Sequence, residues 1–105
     1  MIFKCDRVKE EIVEILKKPD FDDNIKYDFY EEQEGYCLEV KKIPFQIGKR
    51  RPVRYGLVFV KGAEGLYIQV EEMQKNSVFK KSSYEPELYR FFIEKCGCEP
   101  AEKIV

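Results

Sequence analysis

Apolar and polar residues alternate along four separate stretches of this chain. In "IKYDFY", Ile25, Tyr27 and Phe29 face one way and Lys26, Asp28 and Tyr30 the other. "YCLEVKKI" sets Tyr36, Leu38 and Val40 against Cys37, Glu39 and Lys41. "VRYGLVFV" sets Val53, Tyr55, Leu57 and Phe59 on one side, and "LYIQV" does the same with Leu66, Ile68 and Val70. Such alternation predicts strands with one buried and one wet face. Glycine-bearing connections, "EEQEG" and "KGAEG", read as hairpin turns. The segment "EEMQKNSVFKKSS" is ambiguous, with Val78 and Phe79 as a candidate short edge strand.

Two stretches follow a helical period instead. In "DRVKEEIVEILKK", Val8, Ile12, Ile15 and Leu16 form an apolar stripe. Asp6 is the expected N-cap, Glu10 and Glu11 suit the positive helix start, and Pro19 ends the helix. In "EPELYRFFIEKCG", Leu88, Phe91, Phe92 and Cys96 share a face, Ser82 or Ser83 is the expected cap, and Gly97 fits the stop. The tail "EPAEKIV" reads as frayed. The predicted order is α-β-β-β-β-α. This is an α+β two-layer sandwich, a four-stranded mainly antiparallel sheet with one N-terminal and one C-terminal helix packed on one face.

A length of 105 residues suits one domain spanning 1–105. "MIFKCDRVKE" turns charged too early for a signal peptide, and no apolar run is long enough to span a membrane. The four cysteines (Cys5, Cys37, Cys96, Cys98) therefore read as reduced thiols in a cytoplasmic protein.

Composition narrows the chemistry. The chain has no histidine, which removes the commonest general base near neutral pH and the usual nucleophile pairs. No phosphate-cradling glycine motif precedes a helix. "DFDDN" at 20–24 offers weak cation ligands, and Asp28, Glu31, Glu32 and Glu34 cluster at one hairpin, but both read as solvated carboxylates. "KCGCE" offers only a C-x-C pair, with Cys5 and Cys37 isolated, which is a poor zinc pattern. A redox pair is disfavoured at a helix C-terminus. The expectation is free thiols, with Cys96 filling the core and Cys37 on the wet face. No enzyme activity, metal or cofactor is expected.

Charge order restores some information. Residues 1–40 carry 6 basic and 12 acidic side chains, whereas residues 41–61 carry 7 basic and none acidic. Lys49, Arg50, Arg51 and Arg54 crowd "GKRRPVR", in a chain of net charge −1. Arginine forks suit phosphate. Lys41 and Arg54 share the wet face with Tyr30, Tyr67, Val58 and Val60 by alternation. Two readings use that surface. In the first, an aromatic and apolar centre with a charged rim binds a protein partner or a second copy of the chain. In the second, basic residues track a single-stranded RNA or DNA backbone while tyrosines stack on bases. The near-neutral charge favours the first. No membrane partner is expected.

Overall fold

The computed structural model describes residues 1–19, 24–33, 35–43, 52–73 and 84–105. The architecture is α+β, with an antiparallel sheet and two helices. The sheet has six strands rather than the four expected. In chain order the elements are β1 (Ile2–Cys5), α1 (Lys9–Lys17), β2 (Ile25–Glu32), β3 (Gly35–Lys42), β4 (Val53–Gly62), β5 (Gly65–Glu72), α2 (Glu85–Glu94) and β6 (Cys98–Ala101). The strands lie in the order β2-β3-β4-β5-β1-β6.

The four long strands, whose two faces their alternation predicts, form an up-and-down meander. The register sets Phe29 opposite Leu38, Leu38 opposite Tyr55, and Leu57 opposite Val70, so the predicted apolar set lies on one face. Ile12 and Leu16 of α1, and Leu88, Phe91 and Phe92 of α2, join that face in one continuous core. The Phe91 ring stacks on Tyr27 with centroids 4.9 Å apart, and Phe92 stacks on Phe3 at the same distance. The Tyr84 N–H donates to the buried Tyr55 hydroxyl (3.0 Å), which ties the entry to α2 to the middle of the sheet. At one end of this face the cover thins. There Lys9 of α1 lies over the half-buried Tyr36 and Phe59 rings, at 5.4 and 5.5 Å.

The two extra strands come from segments that carry little pattern. β1 slots between β5 and β6, with Phe3 opposite Ile68 on one side and Pro100 on the other. Pro100 lacks an N–H, and an edge strand tolerates that. The expected frayed tail is therefore partly a strand. Because residues 2–5 pair in the sheet, residues 6–8 serve as the turn into α1. Val8 rather than Asp6 is the N-cap residue, its carbonyl accepting from the amides of Glu11 (3.1 Å) and Ile12 (3.3 Å). After α2, Gly97 takes φ of 68°, a left-handed conformation that lets the chain reverse into β6. Tyr84, rather than the expected Ser82 or Ser83, is the N-cap residue of α2; those two serines, the candidate strand at Val78 and Phe79, and the "DFDD" carboxylates lie outside the described residues. Among the described residues no helix is long and apolar enough to cross a membrane.

Candidate functional site

The face of the sheet turned away from the helices is built in rows by the strand register. One row runs Asp28, Glu39, Arg54, and the next runs Tyr30, Cys37, Gly56, Glu71. A third sets Val58 beside Gln69 and Ile2, and a fourth sets Val60 beside Tyr67 and Lys4.

The charged row is largely compensated by its own carboxylates. The Arg54 guanidinium donates to Glu39 at 3.0 Å, and that hydrogen bond holds its pKa above the ordinary value. Asp28 lies 3.8 Å from both Lys26 and Lys41. Two carboxylates thus answer three cations on the part of the surface expected to attract phosphate. Glu31, one of the hairpin carboxylates, pairs with Lys17 of α1 at 3.7 Å. Lys49, Arg50 and Arg51 lie outside the described residues, as does Glu34.

The apolar residues divide. Tyr30 (47% exposed) and Val58 (46%) stand in solvent. Tyr67, expected as an exposed stacking ring, is instead buried at 2%. Its face assignment by alternation is right, but the chain beyond β6 covers it. Ile104 and Val105 lie over Gly62, where an added Cβ would run into the Val105 carbonyl and come within 3.1 Å of Ile104 and 3.0 Å of the Tyr67 ring. The Glu64 amide donates to that carbonyl at 3.0 Å. Tyr67 is therefore a packing residue.

Cys37 is corrected in the same way. It lies on the outer face as expected, yet it is buried. Met73 folds back over it beside Gly56, with the thiol 3.6 Å from the thioether sulfur. Burial pushes the Cys37 thiol pKa up, with Glu32 adding to the effect. Cys98 is also buried, because β6 turns it toward the helices.

Between these covered ends lies a shallow groove of about 240 Å³. Gly56 forms its floor, Val58 and Met73 its apolar walls, and Gln69, Glu71 and Glu72 its polar side. Met73 is 51% exposed. Neither Gly56 nor Met73 stands out in the sequence as a site residue. A glycine in the interior of an alternating strand was the available signal, since it marks a place where something approaches the backbone closely. Among the described residues no group of three or more histidine, cysteine or acidic side chains is placed to hold a metal ion. Compared with known proteins, the chain matches no family model, no curated protein and no solved structure.

Proposed function

We propose that this protein is a non-catalytic binding protein whose outer sheet face engages a protein partner, with a second copy of the chain as one candidate. The observation that carries the reading is the groove over Gly56, walled by the half-exposed Val58 and Met73, with the exposed Tyr30 further along the same row of the sheet. An apolar centre within a polar rim is the anatomy of a protein interface. A methionine wall suits it further, because an unbranched thioether repacks around different shapes. The complementary partner segment places an apolar or aromatic anchor above Gly56 and a basic residue against Glu71 and Glu72.

Nucleic-acid binding through the same face is the second reading. It keeps Lys41, Lys49, Arg50, Arg51 and Arg54 as backbone contacts but loses Tyr67 as a stacking ring. A phosphate at Arg54 or Lys41 also has to displace a carboxylate already in place.

The test compares the wild-type chain with Val58→Glu, both checked for an unchanged melting curve. Each is run in sedimentation velocity and used as bait in a quantitative pull-down. Self-association, or one protein retained by the wild type and lost by the variant, supports the reading. A monomer whose bound proteins are the same in both baits overturns it. Anisotropy with labelled single-stranded RNA and DNA addresses the second reading. Four phosphate contacts give a log–log salt slope near −3, from about −0.7 per contact. A slope of that size, abolished by changing Lys49, Arg50, Arg51 and Arg54 to Ala, promotes nucleic acid over protein.

A further inference from the structure

On the helix-covered face, the antiparallel register of β1 and β6 sets Cys5 directly opposite Cys98. Their sulfurs are 3.4 Å apart, and both residues are buried, at 7% and 4% exposure. Directly opposed residues on antiparallel strands bring their Cβ atoms to about 4.5–5.5 Å, just beyond the spacing of a cystine. Closing 3.4 Å to a bond of about 2.05 Å asks each sulfur to move by roughly 0.7 Å. β6 is a four-residue strand with a neighbour on one side only, so it can make that adjustment.

We propose that Cys5 and Cys98 are a disulfide-forming pair, closed by a low-molecular-weight disulfide such as oxidised glutathione into a cystine that staples β6 to β1. This rests on the strand register and not on the binding reading above.

The exchange runs in two displacements. The Cys5 thiolate attacks one sulfur of the glutathione disulfide. That S–S bond breaks, a Cys5–glutathione bond forms, and one glutathione thiolate leaves. Cys98 gives up its proton and attacks the Cys5 sulfur, forming the Cys5–Cys98 bond and expelling the second glutathione thiolate. The two protons released by Cys5 and Cys98 end on the two glutathione thiols. The protein is oxidised by two electrons and the glutathione disulfide is reduced by two.

The local electrostatics assign the roles. The Cys98 S–H donates to Cys5, which holds the Cys5 pKa below its ordinary value and raises that of Cys98. Cys5 is the attacking sulfur and Cys98 the resolving one. The remaining thiols compete poorly. Burial pushes Cys96 up to about 12, which keeps it a neutral thiol, and Cys37 lies on the opposite face of the sheet. Access to the pair requires β6 to open at the sheet edge, where it has a neighbour on one side only.

The experiment incubates the reduced, folded chain with oxidised glutathione, blocks remaining thiols by alkylation, and maps the linkages by mass spectrometry. The expected product lacks two hydrogens, joins Cys5 to Cys98, and carries alkylated Cys37 and Cys96. Because the closed loop contains nearly the whole chain, its melting temperature rises by roughly 10 °C or more. Cys98→Ser removes the resolving thiol and leaves a stable glutathione adduct on Cys5, while Cys96→Ala keeps the bridge. Should Cys98→Ser fail to fold, the wild-type map still decides. Glutathione adducts without a bridge in the wild type, a Cys96–Cys98 cystine, a bridge formed only above the unfolding midpoint, or a lower melting temperature after oxidation would each overturn the proposal.

Discussion

The same strands build both faces of the sheet in strict alternation, yet the two faces end in different physical states. The inner face meets two helices and closes into a core in which Phe3, Leu38, Leu57, Ile68, Phe91 and Phe92 lose all contact with water. The outer face has no layer of comparable extent among the described residues. It is patched at its two ends, by Ile104 and Val105 over Tyr67 and by Met73 over Cys37, and left open between them. The inner face is shaped by what has to be removed from water. The outer face is shaped by what is left in it: compensated charges and a groove with a glycine floor. Alternation tells which face a residue is on. It does not tell how far that face is covered.

Four substitutions or titrations sharpen this contrast, from the largest expected effect downward. Phe91→Ala on the inner side removes a ring stacked on Tyr27 and costs about 3–5 kcal/mol in urea unfolding. A loss below about 1 kcal/mol would mean the inner face is not closed as described.

The second test is alkaline titration. Folded Cys96 keeps its proton to about 12, while the unfolded chain loses it near the ordinary 9.0. Above pH 9 the unfolded state therefore binds fewer protons, and stability falls as pH rises. The contribution reaches about 4 kcal/mol by pH 12, since each pH unit between the two values costs about 1.4 kcal/mol. Denaturation curves of wild type and Cys96→Ala between pH 8 and 11 should converge by the growing Cys96 share of that loss. Parallel curves would place Cys96 in a wetter setting.

Third, Gly62→Ala puts a methyl group into the Val105 carbonyl and forces the tail off Tyr67. The expected cost is about 1–3 kcal/mol, with faster amide exchange at Glu64, whose bond to Val105 is broken. A neutral result would show that Tyr67 does not depend on that cover.

The smallest effect is Gly56→Ala. Its Cβ meets Met73 at an ordinary 3.7 Å, so stability should hold or rise by about 0.4–1 kcal/mol, while the groove floor rises. Unchanged partner retention in the pull-down would count against the groove as the contact.

How much of this was legible depends on length of pattern. β2 to β5 each alternate over several residues, and their faces follow directly. β1 has four residues, "IFKC", and runs at once into charges. β6 reads "CEPA", with a proline that normally argues against a strand. Their pairing is decided by tertiary contact, with Phe3 buried under Phe92 and Cys5 set against Cys98. Alternation puts Tyr30 and Val58 on the outer face, and there nothing among the described residues covers them, so both stay in solvent. Tyr67 and Cys37 could not be placed under cover, because the covering groups come from residues 104–105 and from Met73. Those are distant in sequence or past the end of a strand, where no periodicity points.

The position of β1 has a consequence for how the molecule assembles. The strands of the meander pair with their neighbours in sequence, two of the three joins being tight hairpins. β1 precedes them all, yet its partners begin at Leu66 and Cys98. Closing so long a loop is entropically costly, and contacts between distant residues slow folding. The register therefore predicts that the meander forms first and that β1 docks late, an order that amide-exchange labelling during refolding would read out. Until residues 66–70 and then 98–101 have emerged from synthesis, Phe3 has no core to enter.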